Sequence, residues 1–297
     1  MAKLPLGVDI CNLIDDLRTL SWEASDALLY YSGVLKDPKN KNNLLHNKNL
    51  NDPVTIADLK VNELIIQTIN RKYKNINWEI LSEENVKLEP FRNTSNGDWI
   101  WVLDPLDGTK DFIQGTSNYA MHLALNYKQK PYIGVVLIPA KGELWIADGD
   151  KAWCEKRDGS KCAPVLLKEK KLQDMTLVTS KNHRNKALKK LVQKINFCKV
   201  EIMGSIGCKI ASIVSGESDI YICLSLPGKS SPKDWDFAAP ESILKAAGGA
   251  ITNLDNQELS YGKNNFEQRG VIVATNNRKT HGSICREIRN IIEGNDI

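Results

Sequence analysis

Hydrophobic positions recur at helical spacing over the first thirty residues. Ile10, Leu13, Ile14, Leu17, Leu20, Ala24, Ala27, Leu28 and Tyr31 fall three, four and seven apart, which predicts an amphipathic helix over about 8–31. Gly33 is the expected stop. The stretch 36–51 is rich in Lys and Asn and reads as a solvated loop. Thr55 and Asp58 fit a capping box that opens a second helix, through Leu64, Ile65 and Ile69 to about Tyr73. The period then shortens. Segments 78–81, 99–103, 119–127, 132–138, 143–147 and 152–155 read as strands, two of them paired across Lys128-Gln129-Lys130. Residues 156–173 are polar and turn-rich and form the expected boundary between residues 1–160 and 161–297. Beyond Asp174 strands at 176–179, 199–203 and 220–224 alternate with helices at 185–195, 207–215 and 237–247. Such alternation predicts a sheet covered by helices, in the α+β / α/β class.

Composition narrows the class. At 297 residues the chain has room for about two domains and for a core without staples. Lys plus Arg is 40 and Asp plus Glu is 36, a formal net charge of +4 with no concentrated basic run. That balance argues against a nucleic-acid partner and leaves room for a small anionic substrate. The start shows no secretory signal pattern, and no apolar run approaches the ~20 residues that span a bilayer. A cytoplasmic protein without a membrane partner is expected. The seven cysteines are widely spaced without a CxxC pair, which predicts reduced thiols rather than disulfides or a thiolate zinc site. No helix face is marked as an interface, so monomer and homodimer both stand.

Candidate chemistry concentrates in residues 99–115, WIWVLDPLDGTKDFIQG. A buried strand is expected to end in Asp104 and to turn through Pro105 and Leu106 to Asp107, Gly108 and Thr109. Two carboxylates on one tight turn, with the carbonyl between them, are hard oxygen ligands that suit Mg²⁺. Gly108 lets the backbone approach a ligand, and a helix starting near Thr109 would offer N–H groups to a phosphate. A plain surface turn uses the same residue types. Yet D-P-x-D-G-T arises by chance in about one or two of ten thousand chains this long, which sets the plain turn aside. Ser82-Glu83-Glu84 stands at another strand end, and Asp234-Trp235-Asp236 precedes a helix. Asp236 is read either as an N-cap or as a ligand from the second half.

Taken in order, D-P-V-T-I-A-D at 52–58, S-E-E at 82–84, D-P-L-D-G-T at 104–109 and W-D-F-A-A-P-E at 235–241 resemble the inositol monophosphatase superfamily of Mg²⁺-dependent, lithium-sensitive phosphatases. The resemblance covers nearly the whole chain. It implies a layered α/β/α/β/α sandwich like that of the inositol monophosphatases and fructose-1,6-bisphosphatases. It also implies two or three Mg²⁺ per site, held by Glu83, Asp104, Asp107 and Asp236 and by the Leu106 carbonyl. Asp52 and Thr109 would hold the attacking water, and Gly108 and Thr109 would touch the phosphate. Thr55 and Asp58 would support them.

Within the superfamily, Lys110-Asp111 after D-G-T is similar to the Lys-Glu of CysQ-type 3'(2'),5'-bisphosphate nucleotidases. So is 226–249, with its Pro-Gly-Lys lead-in and Ala-Pro-Glu; Ser180-Lys181-Asn182-His183 and Gly204-Ser205 also resemble that branch. Those enzymes take adenosine 3',5'-bisphosphate to AMP within sulfate assimilation. Such a substrate carries about four negative charges, so its second phosphate needs cations away from the metals. Lys110, Lys181, His183, Arg184, Lys229 and Lys233 are candidates, His183 and Lys229 first; the bland reading for each is a solvated surface charge. The substrate-binding set is thus Gly108, Thr109, Lys110, His183, Gly204, Ser205, Lys229 and Asp236, with Trp235 and Glu241 as candidates for the base or ribose. The alternatives are an inositol monophosphatase or sugar bisphosphatase on the same metal site, and a non-catalytic nucleotide-binding protein.

Overall fold

The computed structural model describes residues 4–37, 45–47, 54–88, 97–166, 169–180, 186–225 and 231–294. Helix α1 (Ile10–Leu35) precedes a short antiparallel ribbon, β1 (Leu45–Asn47) and β2 (Val54–Thr55), and helix α2 (Ile56–Lys72). There follow β3 (Glu79–Ser82), α3 (Glu83–Leu88), β4 (Trp99–Asp107), α4 (Thr109–Ile113), β5 (Ala120–Tyr127), β6 (Lys130–Ile138), β7 (Glu143–Ala147), β8 (Ala152–Lys156) and β9 (Lys161–Cys162). The second half holds β10 (Thr176–Thr179), α5 (Lys186–Ile195), β11 (Lys199–Ile202), α6 (Ile206–Val214), β12 (Ile220–Ser225) and α7 (Asp234–Ala246). It closes with β13 (Ala250–Asn253), β14 (Gly270–Thr275) and α8 (Arg278–Glu293).

Strands β3 to β9 form one seven-stranded sheet in sequence order, antiparallel except for the parallel β3–β4 pair. The second sheet has the order β11-β10-β12-β14-β13. Strand alternation sends side chains to opposite faces and so builds the layers. Trp101 and Leu103 of β4, with Leu123 and Leu125 of β5, pack under Leu13, Leu17, Val61 and Ile65 of α1 and α2. Val102, Ala120, Ala124 and Val136 face the other way, onto Ile210 and Ile213 of α6, Phe237 and Ala238 of α7, and Tyr221 and Ile272 of the second sheet. On that sheet's far side, Leu177, Ile222 and Val273 bury Leu188 and Leu191 of α5 and Ile284 and Ile288 of α8. The order is α/β/α/β/α, as the resemblance implied.

The middle layer is close-fitting where β6 meets α7. A Cβ at Gly134 would run into the Ser242 hydroxyl and lie 3.1 Å from Ala239 Cα. Only a glycine on β6 and small residues on α7 let helix and sheet approach so closely.

Several local expectations hold and some do not. The α2 capping box is present: Thr55 N–H donates to Asp58 Oδ2 at 2.8 Å, and the Thr55 hydroxyl accepts from Ala57 N–H at 3.1 Å. The β5–β6 hairpin turns on Lys128 and Gln129, both at positive φ (49° and 59°), matching the twist of the strands it joins. Gly33, the expected stop, lies inside α1, which continues to a buried Leu35. A helical glycine costs about 1 kcal/mol, and burying a leucine contributes more. Helix α7 starts at Asp234 rather than Phe237, so Asp236 is its third residue and not its cap. Strands β13 and β14 and helix α8 lie beyond the last element the periodicity marked. The seven cysteines are all unpaired.

His281 on α8 is 1% exposed, with its ring nitrogens 2.7 Å from Thr252 Oγ1 and 2.9 Å from Thr275 Oγ1. Burial pushes its pKa down to about 4, below the ordinary 6.5. The folded form therefore refuses a proton that the unfolded chain accepts. Stability is lost as pH falls from 6.5 towards 4, by about 3 kcal/mol at most. Urea melts of wild type and His281→Gln at pH 7.0 and 4.5 check this. The wild type should lose more than the variant over that interval; equal losses would contradict it.

Candidate active site

Parallel pairing sets Ser82 of β3 opposite Leu103 of β4, so the chain leaving β3 delivers Glu83 next to Asp104. Each of the two carboxyls bears on the other's ionisation. Lys87, one turn along α3, pairs with Glu83 at 2.9 Å and with Glu84 at 3.1 Å.

Asp104 and Asp107 converge because of the register between β4 and β5. Strand β4 does not end at Asp104; it runs through Asp107. Asp104 pairs with His122 and Asp107 with Ala120, so three steps along β4 match two along β5. In a regular strand, residues three apart point to opposite faces. The one-residue bulge brings both carboxylates to one side. Pro105, with no N–H to donate, fits that irregular ladder.

Asp236 arrives from α7, in the second half. Carboxylate oxygens of Asp104, Asp107 and Asp236 lie within 4.8 Å of one another. Asp236 also accepts from the Lys233 N–H at 2.5 Å. Pro240, inside α7, has no N–H for the carbonyl four residues back, which is that of Asp236.

Such crowding is expensive. Asp104 is 1% exposed, and burial followed by the charges of Glu83, Asp107 and Asp236 raises its pKa well above the carboxylate range. Burial, then Asp107 and Glu83, does the same to Asp236. Glu83 is raised to about 6, by burial that Lys87 only partly offsets. Asp58 rises to about 7, burial outweighing its bonds to Thr55. A cluster of buried acids stays ionised only if a cation shares the site. The donors are all hard oxygens, so the residues fit Mg²⁺.

Asp107 is held from behind. Its Oδ2 accepts from the Ser205 hydroxyl at 2.7 Å, from the Ile206 N–H, and from the Gly207 N–H at 3.4 Å, with His122 Nε2 also at 3.4 Å. The first turn of α6 thus grips a carboxylate of β4, an arrangement that favours a negative charge. A Cβ at Gly207 would collide with the His122 ring. The His122 Nδ1 lies 3.4 Å from the Trp235 carbonyl of α7, so this buried ring touches both the β4 and α7 sides.

Thr109 opens α4, with its hydroxyl 3.0 Å from the Leu106 carbonyl and 3.4 Å from Asp58 Oδ1. The Leu106 N–H donates to Asp104 Oδ1 at 3.0 Å. Gly108 has φ 87°, and a Cβ there would meet the Asn118 carbonyl at 2.8 Å. Its close approach is therefore to protein backbone.

The other candidates divide. Lys110 is half-buried on α4, without an ion pair among the described residues. Ser205 is fully buried, spent on capping α6 and holding Asp107; Gly204 beside it packs on Asp111. The Lys233 ammonium reaches the Asn265 carbonyl and Glu267, both at 3.2 Å. Trp235 is packed in the core against Phe266, and Glu241 is buried between Lys245 and Tyr261. Asp52, Lys181, His183, Arg184 and Lys229 lie outside the described residues.

His122 and Lys209 were not singled out as site residues by the motifs. Each is the one basic residue of a largely apolar element, AMHLALNY and IGCKIASIV, which is the signal that marks them.

A two-sheet α/β sandwich with an acidic cluster between its halves is the architecture of a known phosphatase class. A sequence profile described as "Inositol monophosphatase family" matches residues 16–293, and the chain belongs to that family. Similar proteins include 3'(2'),5'-bisphosphate nucleotidase CysQ of Buchnera aphidicola subsp. Acyrthosiphon pisum, 32% identical over 71% of this chain and 75% of the relative. The CysQ of Shigella flexneri is 27% identical over 84% of this chain and 94% of its own. Among solved structures, the Thermotoga maritima IMPase superposes with a TM-score of 0.72 at 20% identity, over 95% of this chain and 99% of the other.

Proposed function

We propose that the chain is a Mg²⁺-dependent 3'(2'),5'-bisphosphate nucleotidase that removes the 3'-phosphate of adenosine 3',5'-bisphosphate and leaves AMP. The observation that carries it is the meeting of buried Asp104 and Asp107 with half-buried Asp236 from two halves of the chain, in a family whose similar members include CysQ nucleotidases. The cation would be held by Glu83, Asp104, Asp107 and Asp236 and by the Leu106 carbonyl. When bound, Mg²⁺ supplies positive charge that favours ionisation of the attacking water and offsets charge on the leaving oxygen.

The chain's own groups do the rest. Thr109 and Asp52 orient the water, and the Thr109 hydroxyl passes its proton toward Asp52. Backbone N–H groups at Gly108 and Thr109 bind the phosphate being transferred. Lys110, His183 and Lys229 hold the second phosphate, while Gly204 shapes the wall between and Ser205 acts from behind through its bond to Asp107. The halves 1–160 and 161–297 act as one unit, because each contributes ligands. Turnover of this nucleotide belongs to sulfate assimilation in the cytoplasm, and Li⁺ competes for one cation position. Among the described residues no helix is long and apolar enough to cross a membrane.

The test is kcat/KM with Mg²⁺ for adenosine 3',5'-bisphosphate, inositol 1-phosphate and fructose 1,6-bisphosphate. The nucleotide should lead by at least about tenfold, equivalent to one well-placed charged contact. A lead for either of the others would make the chain an inositol monophosphatase or sugar bisphosphatase. Nucleotide binding without turnover would make it a binding protein.

A further inference from the structure

Asp107 belongs to the carboxylate cluster, yet one of its two oxygens is already engaged. A carboxylate oxygen offers about two lone-pair sites. Those of Oδ2 are filled by the Ser205 hydroxyl, at 2.7 Å, and by the Ile206 N–H. The Gly207 N–H and His122 Nε2, each at 3.4 Å, crowd the same oxygen. These donors have little freedom to leave. Ser205 is 0% exposed, and its backbone N–H donates to the Asn118 carbonyl at 3.2 Å. Its hydroxyl also caps α6, accepting from the Cys208 N–H at 3.2 Å. The His122 ring lies against Gly207 with no room for a Cβ between them. Helix start and ring therefore make a close-fitting wall behind Asp107. Oδ1 is the oxygen left to a cation.

Whether a carboxylate gives one oxygen or two separates the common hard cations. Mg²⁺ is small and takes single oxygens, at about 2.0–2.1 Å, in a strict octahedron. Ca²⁺ is larger, accepts roughly six to eight oxygens, and often takes both oxygens of one carboxylate. We propose that Ser205, with the first N–H groups of α6, confines Asp107 to one-oxygen coordination and thereby biases the site toward Mg²⁺ over Ca²⁺. The inference rests on the metal-site reading above and adds the choice of cation to it. Ser205 is in this sense a positioning residue, acting through Asp107 rather than on the substrate.

The test uses the metal-free full chain, titrated calorimetrically with MgCl₂ and, separately, with CaCl₂. Ser205→Gly removes the hydroxyl, and glycine is itself tolerated at a helix N-cap. In this variant the ratio of Mg²⁺ to Ca²⁺ affinity should fall by roughly tenfold, the effect typical of losing a group that orients a metal ligand. Ser205→Thr keeps the hydroxyl and should keep the wild-type ratio. A merely structural role would weaken both cations alike and leave the ratio in place. An unchanged or increased ratio in Ser205→Gly overturns the inference, as does an equal fall in Ser205→Thr. If wild type takes up neither cation, the metal-site reading itself fails and the inference falls with it. Should Ser205→Gly not fold, Ser205→Ala is measured in the same way. Failure of both to fold also overturns the inference, because the hydroxyl would then hold the fold together rather than choose the cation.

Discussion

Asp104→Asn is expected to cut Mg²⁺-dependent phosphate release by at least about a thousandfold while leaving the chain folded. The rate loss follows from the place of Asp104 among the carboxylates. It stands beside Glu83 and within 4.8 Å, oxygen to oxygen, of Asp107 and Asp236. A lost metal ligand forfeits several kcal/mol of transition-state charge stabilisation, and each 1.36 kcal/mol is tenfold in rate. The retained fold follows from the energetics of the same site. Asp104 is buried among like charges that hold its pKa well above normal. Asparagine has nearly the same shape and no charge, and its carbonyl can still accept from the Leu106 N–H. The metal-free variant should therefore melt no lower than wild type, while the rise in melting temperature on adding Mg²⁺ shrinks or vanishes. Phosphate-release assays and melts with and without Mg²⁺ check both halves. Activity within tenfold of wild type would contradict the ligand assignment.

Gly134→Val should be the most damaging single change outside the carboxylates. Gly134 lies on β6 against Ala239 and Ser242 of α7, with no room for even one extra carbon. Overpacking a close-fitting core typically costs 1–3 kcal/mol, and a branched residue against helix backbone belongs at about 3 kcal/mol or beyond. The response should be graded, Gly134→Ala losing less than Gly134→Val in urea melts. It should also reach the site, because α7 carries Asp236 while β4 carries Asp104 and Asp107. Moving the helix outward separates Asp236 from the other two carboxylates, so Gly134→Ala should need several-fold more Mg²⁺ for half-maximal activity. A variant as stable as wild type, with the same Mg²⁺ requirement, would show that α7 is not placed by this contact.

Much of the site could be read in the residues themselves, since short motifs at element ends carry their own chemistry. Glu83 follows a strand, Asp104 to Thr109 span the end of one, and Asp236 lies in the first turn of a helix; local pattern reports that all three stand near element ends. A sheet covered by helices follows likewise from the β-α order of the second half, while the five layers were implied by the family resemblance. The bulge in β4 was not readable. One extra residue in a ladder depends on which residues of β5 sit opposite, and pairing register is a property of two segments. His122 and Lys209 are missed for a related reason. Each reads only as the one basic residue of a largely apolar element until tertiary packing buries it, His122 against Asp107 and Lys209 against the Gly204 carbonyl. Helix ends misled in two places, at Gly33 and at Asp234, because packing against the core outweighed the local stop and start signals.

The most direct measurement is the identity of the product formed from adenosine 3',5'-bisphosphate. The protein is incubated with the nucleotide in the presence and absence of Mg²⁺, and the products are separated by chromatography against 5'-AMP and 3'-AMP standards. The predicted result is 5'-AMP with one equivalent of phosphate, formed only when Mg²⁺ is present. Formation of 3'-AMP, equal turnover without a divalent cation, or no turnover at all would contradict a metal-dependent 3'-nucleotidase.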